Sequence, residues 1–255
     1  MSLSTLFSLD GKRALVTGAS RGIGRAAALA LAEAGADVVC AASTVDGTID
    51  TVAAVEALGR KAWAVGADLS QRDAALSLAD AAEQHAGTID ILINNAGTIR
   101  RAPAIEYTMS DWEIVVRTNL DATWQLSQRI GRGMVARGHG KIVNVASLLS
   151  FSGGVTVPAY TASKHAVAGL TKALANEWAA FGVQINAIAP GYFETDNTRR
   201  LRDDAQRFAD ISARIPAGRW GKTQDLAGAF VFLSSSASDY VNGHVLTVDG
   251  GWMAR

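Results

Sequence analysis

The stretch "RALVTGASRGIGRAAALALAEAG", residues 13–35, joins a short apolar run to a helical pattern through a glycine-rich turn. Gly18, Gly22 and Gly24 allow the backbone to turn tightly and to pass close to a phosphate. The helix that follows would present the free N–H groups and the positive dipole end of its first turn to that phosphate. A plain tight turn needs one glycine rather than three, so the stretch favours a nucleotide-binding strand–turn–helix unit.

The same alternation of apolar runs and helical patterns continues to the end of the chain. Further apolar runs are "DVVCAAS" (37–43), "KAWAVGADLS" (61–70), "IDILINNAG" (89–97), "GKIVNVAS" (140–147), "VQINAIAPG" (183–191) and "HVLTVDGG" (244–251). Such runs are apolar on both faces, as buried parallel strands are. The pattern predicts a doubly wound α/β fold of Rossmann type, a parallel sheet of about seven strands with helices on both faces. We expect one domain over residues 1–255, a long helix from near Ser110 and an irregular polar region after residue 191.

The composition argues against several classes of protein. Lys and Arg total 24 and Asp and Glu total 24, so no charge excess favours nucleic acid or a membrane surface as partner. Cys40 is the only cysteine, which rules out an intrachain disulfide. The four histidines lack metal-ligand spacing, and we expect no metal site. With no secretory signal pattern and no apolar run of membrane-spanning length, we expect a cytoplasmic protein.

In a doubly wound sheet, ligands bind outside the carboxyl ends of the strands. The second strand ends in Cys40 to Thr44 and lacks the Asp or Glu that commonly holds the adenosine ribose of NAD. Arg21 in the glycine-rich turn, together with Ser43, would instead suit the 2′-phosphate of NADP. A solvated loop arginine is the alternative interpretation of Arg21. The residues therefore favour NADP while leaving NAD open.

Tyr160 and Lys164 belong to the pattern "YTASK" in a segment that otherwise has helical character. Four residues are about one helical turn, so the phenol and the ammonium share a face. Taken alone, such a pair is usually an ordinary surface feature. Ser147, which ends the preceding apolar run, gives the pair a chemical context.

Six features follow one another along the chain: "TGASRGIG" at 17–24, "NNAG" at 94–97, Asn119, Ser147, "YTASK" at 160–164 and "PG" at 190–191. In this order and spacing they resemble the short-chain dehydrogenase/reductase superfamily over essentially the whole chain. The resemblance implies an NAD(P)-dependent enzyme that interconverts an alcohol and a ketone. It makes Tyr160 the general acid/base, Lys164 the residue that lowers the tyrosine pKa and binds the nicotinamide ribose, and Ser147 the holder of the substrate oxygen. Asn119 would position a water between Lys164 and solvent.

By the same resemblance, the cofactor would lie along the carboxyl edge of the sheet. The glycine-rich turn would face its phosphates, Asp68 its adenine, and Thr195 its nicotinamide end. The full set of implied residues is Gly18, Ser20, Arg21, Gly22, Ile23, Gly24, Ser43, Asp68, Leu69, Asn95, Ala96, Gly97, Tyr160, Lys164, Pro190, Gly191 and Thr195.

Segments spread along the chain, among them "NNAGTIRR", "ASLLSFSGG", "RIPAGRWG" and "VDGGWMAR", resemble one group within the superfamily, the 2-dehydro-3-deoxy-D-gluconate 5-dehydrogenases. This closer resemblance implies a sugar-acid substrate, and resemblance to the superfamily implies a homotetramer, with a dimer as the alternative. The group mostly uses NADH, which opposes the inference from Arg21. Arg100 and Arg101 would clamp the substrate carboxylate, or else are two solvated loop cations. Further candidates for the substrate pocket are Leu148, Ser152, Tyr192 and Trp220.

Other functions fit some of the same motifs. The chain is alternatively a reductase of another carbonyl, such as a gluconate 5-dehydrogenase or an enzyme of the 3-ketoacyl or steroid type. The acyl and steroid types should have a more apolar pocket without a functional arginine. A non-catalytic, cofactor-binding regulator is the third possibility, and the intact set of Ser147, Tyr160 and Lys164 argues against it.

Overall fold

A computed structural model describes residues 2–255 and contains a seven-stranded sheet. In chain order the strands are β1 (Arg13–Thr17), β2 (Asp37–Ala42), β3 (Ala62–Gly66), β4 (Ile91–Asn94), β5 (Gly140–Val145), β6 (Val183–Pro190) and β7 (Val245–Val248). Their order across the sheet is β3-β2-β1-β4-β5-β6-β7, and all neighbouring strands are parallel. The predicted parallel, doubly wound sheet is confirmed.

Helices cover both faces of this sheet. Within residues 2–255 they are α1 (Leu3–Phe7), α2 (Gly22–Glu33), α3 (Ile49–Ala57), α4 (Ala74–Ala86), α5 (Met109–Val116), α6 (Ala122–Arg137), α7 (Pro158–Trp178), α8 (Arg199–Asp203), α9 (Ala205–Arg214) and α10 (Ala227–Ser234). Leu15 and Leu92 point to one face and pack with α4 and α6. Val16 and Ile93 point to the other face and pack with α2 and α10. Adjacent residues of one strand therefore enter two separate apolar layers.

The central strands are buried on both faces, as predicted, but the edge strand β7 is only partly buried. Every residue of β4 and β5 is buried, whereas β7 is half-exposed along its whole length. An edge strand has a neighbour on one side only, so its residues are covered less completely.

Two helical regions differ from the expectation. The long helix from Ser110 is divided, because a π-helical turn at Arg117–Asp121 separates α5 from α6. The region expected to be irregular contains α8 and α9. The carboxylate of Asp204 caps α9 by accepting a hydrogen bond from the backbone N–H of Arg207 at 3.0 Å. Ile211 is the buried residue of α9 and lies one turn after Phe208, so the helix has an apolar face that the expectation of irregular structure overlooks.

The strand order reverses between β1 and β4, and Thr17 fixes the geometry there. Its hydroxyl donates to the carbonyl of Ile93 at 3.2 Å and accepts from the backbone N–H groups of Asn95 and Ala96 at 3.0 and 2.9 Å. These bonds hold the carboxyl ends of the two strands together. A crevice opens at such a reversal, and in this protein it contains the candidate site. No helix among residues 2–255 combines the length and apolar character needed to cross a membrane.

Candidate active site

A cleft of about 360 Å³ runs along the carboxyl edge of the sheet. Every residue that the sequence predicts for the cofactor lines this cleft, and so does Ser147. Asn119 and the six predicted substrate residues are not among its lining residues. The structure thus brings the glycine-rich turn, the NNAG motif and the Tyr160–Lys164 pair to one concave surface.

The glycine-rich turn is held close to the strand beside it. Gly18 has a left-handed backbone with φ of +66°, and a Cβ at this position would lie 2.8 Å from the Asn95 side-chain nitrogen. The Asn95 side chain donates a hydrogen bond to the Thr17 carbonyl at 2.9 Å. A larger residue than glycine at position 18 would therefore strain the backbone and displace Asn95.

The start of α2 faces the same cleft. Arg21 occupies its N-cap position and makes no side-chain capping bond, so the first-turn N–H groups remain available. Backbone N–H groups at a helix N-terminus beside a crowded glycine turn suit the diphosphate of a dinucleotide. The residues present therefore fit a nicotinamide dinucleotide, with Gly18, Gly22 and Gly24 holding its phosphates.

Asp68 and Asp196 are the two carboxylates in the cleft lining. Asp68 accepts hydrogen bonds from the backbone and hydroxyl of Ser70 at 3.1 and 2.8 Å, and these bonds lower its pKa. Asp196 forms a salt bridge with Arg21 at 3.0 Å. Sequence reasoning did not single out Asp196, because it lies in the region expected to be irregular.

Lys164 is buried at the floor of the cleft. Its ammonium donates a hydrogen bond to the Val145 carbonyl at 2.6 Å, and it lies 5.7 Å from the centre of the Tyr160 ring. Burial lowers the pKa of Lys164 to about 8. Ser150 supports the same helix, since its hydroxyl donates to the Lys164 carbonyl at 2.7 Å.

Tyr160 lies in the first turn of α7 and lines the cleft together with Ser147. Burial raises the pKa of the Tyr160 phenol, while a hydrogen bond with Ser147 and the charge of Arg101 act to lower it. The expectation from the sequence is a pKa lowered by Lys164. The structure differs because desolvation is the largest effect and because the Lys164 ammonium is directed at Val145. The phenol is therefore protonated at neutral pH.

Ser147 follows β5 in an extended conformation. Its hydroxyl accepts from the backbone N–H of Leu149 at 3.1 Å, and its backbone N–H donates to the Ser150 hydroxyl at 3.3 Å. This capping box begins a short turn at Leu148–Ser150. The turn fixes Ser147 beside the phenol, with its own O–H left to donate.

Asn119 lies in the π-helical turn, behind the cleft. Its side-chain oxygen accepts from the Thr98 N–H at 2.8 Å, and its side-chain nitrogen donates to the Thr98 carbonyl at 3.0 Å and to the Ser163 hydroxyl at 3.1 Å. The π-helical turn is the local backbone change that separates the two helices at this point. Asn119 thereby ties the loop after β4 to α7, next to Lys164.

The two loop arginines have separate environments. Arg100 forms a salt bridge with Asp111 at 3.4 Å, where both side chains are largely exposed. Burial and the charge of Arg200 lower the pKa of Arg101, whereas Tyr160 raises it. Among residues 2–255, no carboxylate contributes to this shift. The charges of Arg200 and Tyr160 thus both act on Arg101, and the two arginine side chains are exposed. Arg200, in α8, is a further cation at the site, and no sequence motif indicates it.

The remaining substrate candidates lie outside the lining of the cleft, in and just after the turn that follows β5 and beside the loop after β6. The Ser152 hydroxyl donates to the carbonyl of buried Leu148 at 3.3 Å. Tyr192 packs against the rings of Trp220 and Trp252, with centroid distances of 5.3 and 4.7 Å. Trp220 is buried and donates its indole N–H to the Ser212 hydroxyl at 2.9 Å. Tyr192 and Trp220 thus belong to one apolar cluster with Ile211 and Ile215, beside the loop after β6.

Comparison with known proteins identifies the family that shares these features. The family model for short chain dehydrogenase matches residues 12–206. The chain is 54% identical over 254 residues to a 2-dehydro-3-deoxy-D-gluconate 5-dehydrogenase of Bacillus subtilis, covering 99% of both. It is 52% identical over 250 residues to the Escherichia coli enzyme of that name, covering 98% of both. A crystal structure of a gluconate 5-dehydrogenase from Burkholderia cenocepacia in complex with NADP and tartrate matches with a TM-score of 0.95 at 42% identity, over 100% of both chains.

These likenesses cover the sheet from β1 to β7, and the family match includes the glycine-rich turn and the Tyr160–Lys164 pair. The predicted family is therefore confirmed: the chain belongs to the short-chain dehydrogenase/reductase family of NAD(P)-dependent oxidoreductases.

Proposed function

We propose that this protein interconverts a secondary alcohol and a ketone on a sugar acid, namely 2-dehydro-3-deoxy-D-gluconate and its 5-keto form. The observation that carries the proposal is the charge of Arg101, which acts on the Tyr160 phenol and is itself affected by the charge of Arg200, without a carboxylate among residues 2–255 to balance it. Two guanidinium groups next to a proton donor suit a substrate that brings its own carboxylate. The names of the relatives from Bacillus subtilis and Escherichia coli support the same substrate.

The chemistry needs a hydride carrier and a proton donor. A bound nicotinamide dinucleotide supplies or accepts the hydride. In the reducing direction, the Tyr160 phenol gives its proton to the substrate oxygen as negative charge develops there. The Ser147 hydroxyl donates a hydrogen bond to the same oxygen and polarises the carbonyl. In the oxidising direction, the Tyr160 oxygen takes the proton back.

Lys164 and Asn119 serve this proton transfer indirectly. Lys164 places a buried ammonium near the Tyr160 ring at the floor of the cleft, where it would bind the ribose of the nicotinamide. Asn119 holds the loop after β4 against Ser163, the residue that precedes Lys164 in α7. Arg101 adds a second cation near the phenol and also orients the carboxylate of the substrate.

An apolar substrate is less well suited to this site. A 3-ketoacyl or steroid substrate would cover the solvent-exposed side chains of Arg101 and Arg200 without offering them an anionic partner, which is unfavourable. Gluconate is a closer alternative because it also carries a carboxylate, and the Burkholderia cenocepacia relative with bound tartrate is a gluconate 5-dehydrogenase. The substituents between the carbonyl and the carboxylate distinguish the two acids.

The direct test is oxidation of NADH and of NADPH, in parallel, with the 3-deoxy-2,5-diketo sugar acid as substrate. We expect rapid turnover with at least one cofactor, and a much lower rate with 5-keto-gluconate. Tyr160→Phe is the matched control, which should bind cofactor without turning over. Absence of turnover with both cofactors, in protein that still binds them, would rule out this substrate and leave the family assignment intact.

We further infer that residues 1–255 act as one domain and assemble as a homotetramer through α5, α6 and α7. Trp112 on α5 and Trp124 on α6 are large apolar side chains that are 36% and 39% exposed, and Met109 is 68% exposed. Apolar groups of this size favour burial against another subunit. Light scattering or sedimentation should give about four times the 26.6 kDa chain mass, and a monomeric mass would contradict the inference.

A further inference from the structure

The segment after β6 lies directly over the start of α2. Thr195 approaches Gly22 closely, since its methyl carbon would be 3.7 Å from a Cβ added there. Asp196, Asn197 and Thr198 continue this segment as a short 3₁₀ turn, and all of them line the cofactor cleft. Asp196 and Arg21 therefore meet where the glycine-rich turn and the overlying segment come together.

Asp196 divides its carboxylate between two arginines. One oxygen contacts the Arg21 guanidinium at 3.0 Å, and the other contacts Arg199 at 2.6 Å. The Arg21 and Asp196 side chains are 72% and 46% exposed, so their bridge is a solvent-screened contact of modest strength. A more highly charged anion can displace the carboxylate from such a contact.

Arg21 is important for the binding of an anion because few cations line the cleft. Among the lining residues that the structure describes, Arg21 and Lys164 are the cations, and Lys164 is bound to Val145 at the floor. The end of β2 adds the hydroxyl of Ser43 but no carboxylate. A 2′-phosphate, which distinguishes NADPH from NADH, would therefore find Arg21 as its cation, with Asp196 already bound to it.

We propose that Asp196 is a cofactor-specificity residue: it binds the Arg21 guanidinium, competes with the 2′-phosphate of NADPH and so brings the affinities for NADPH and NADH closer together. This inference rests on the proposed use of a nicotinamide dinucleotide, but not on the identity of the sugar acid. NADH gains nothing from the release of Arg21, because it has no phosphate at that position. Removal of the Asp196 charge should thus favour NADPH selectively.

The test is the dissociation constant of each cofactor, measured by the fluorescence of bound NADPH and NADH without any substrate. Asp196→Asn should tighten NADPH binding by about two- to five-fold, the range expected for loss of an exposed competing ion pair, and change NADH binding by less. In an Arg21→Gln background the same substitution should have no selective effect. Arg199→Gln is the matched control, because it breaks the other contact of the same carboxylate and leaves Arg21 bound.

An unchanged ratio of the two dissociation constants in Asp196→Asn would overturn the proposal. So would an equal change in Arg199→Gln, which would indicate that the turn merely loosens, or a selective effect that persists without Arg21. Because these are binding measurements, they stand apart from the substrate assignment. Failure of the sugar-acid assay would leave the cofactor result intact, and the reverse also holds.

Discussion

The side chain of Asn119 binds both backbone groups of Thr98, accepting from its N–H at 2.8 Å and donating to its carbonyl at 3.0 Å. This pair of hydrogen bonds between an amide side chain and one backbone residue fixes the loop that follows the NNAG motif. A third bond, to Ser163 at 3.1 Å, continues into the helix that carries Tyr160 and Lys164. One buried amide thus links two of the segments that form the site.

Asn119→Ala should lower the free energy of unfolding by about 3 kcal/mol, since it removes three hydrogen bonds at a buried position. Urea denaturation gives the value. Thr98→Ala is the matched control and should have a much smaller effect, because Asn119 contacts only the backbone of Thr98. Equal destabilisation by the two substitutions would show that the amide is not what holds the loop.

Tyr160→Phe should reduce turnover by about 10² to 10⁴-fold, the usual contribution of a general acid, while the cofactor dissociation constant stays within about two-fold. Steady-state rates and a fluorescence titration provide the two quantities. A variant that retains near-normal turnover would contradict the role of the phenol.

The rates in the two directions should depend on pH in opposite ways. Because the Tyr160 pKa is raised by burial, the phenol keeps its proton through neutral pH. Carbonyl reduction uses the protonated phenol, so its rate should stay level through neutral pH and fall in strongly alkaline solution. Alcohol oxidation uses the phenolate, so its rate should still be rising at pH values where reduction is level. Profiles of kcat/KM in both directions test this, and an oxidation rate already level at neutral pH would disagree with it.

Lys164→Met should stabilise the cofactor-free protein at pH 7. The pKa of Lys164 is about 8 in the folded protein, against 10.5 for an ordinary lysine, so below pH 8 the group is protonated in both the folded and unfolded states and the folded state bears the full desolvation penalty. Between those two values the unfolded chain binds more protons, so the wild type gains stability relative to the variant as pH rises. We expect an advantage of up to about 3 kcal/mol at pH 7, reduced by loss of the bond to Val145 and smaller at about pH 9.5.

Urea unfolding at the two pH values measures this difference. Lys172→Met, at an exposed position on the same helix, is the control and should show the same small effect at both. A Lys164→Met advantage that did not shrink with pH would mean that burial of the ammonium is not its source.

Arg101→Ala and Arg200→Ala should each raise the KM for the sugar acid by about ten-fold or more, the usual effect of losing a charge-assisted hydrogen bond. Arg100→Ala and Arg199→Ala are matched controls, because those side chains form salt bridges with Asp111 and Asp196 instead. The KM for a methyl ester of the same acid should respond much less to the first two substitutions. Unchanged KM values in Arg101→Ala and Arg200→Ala would leave the carboxylate without an assigned partner.

The amino-acid sequence predicts the sheet well because each strand is a short apolar run with a turn residue after it. "GKIVNVAS" forms β5 with Ser147 just beyond its end, and "RALVTGA" forms β1 followed by the glycine-rich turn. Both patterns are local, and the rule that ligands bind at the carboxyl edge then places the predicted cofactor residues in one cleft.

Other features depend on contacts that a linear pattern does not contain. A π-helical turn adds one residue to a helix and hardly changes its apolar period, so the pattern does not predict the turn at Arg117–Asp121. Arg200 acts on Arg101, and Asp196 binds Arg21. The members of each pair are about a hundred or more residues apart in the sequence. The expected fall in the pKa of Tyr160 is wrong because the sequence shows the neighbouring Lys164 but not the depth at which both are buried.

The strand order also determines at which stage of folding the catalytic residues come together. Thr17 bonds to Asn95, 78 residues later, and Asn94 bonds to Asn144, 50 residues later. Parallel neighbours cannot be joined by hairpins, so each of these contacts must wait for a long crossover segment to close. Helical circular dichroism should therefore recover early in refolding, and catalytic activity should return only in the slowest phase, after β1, β4 and β5 have docked side by side.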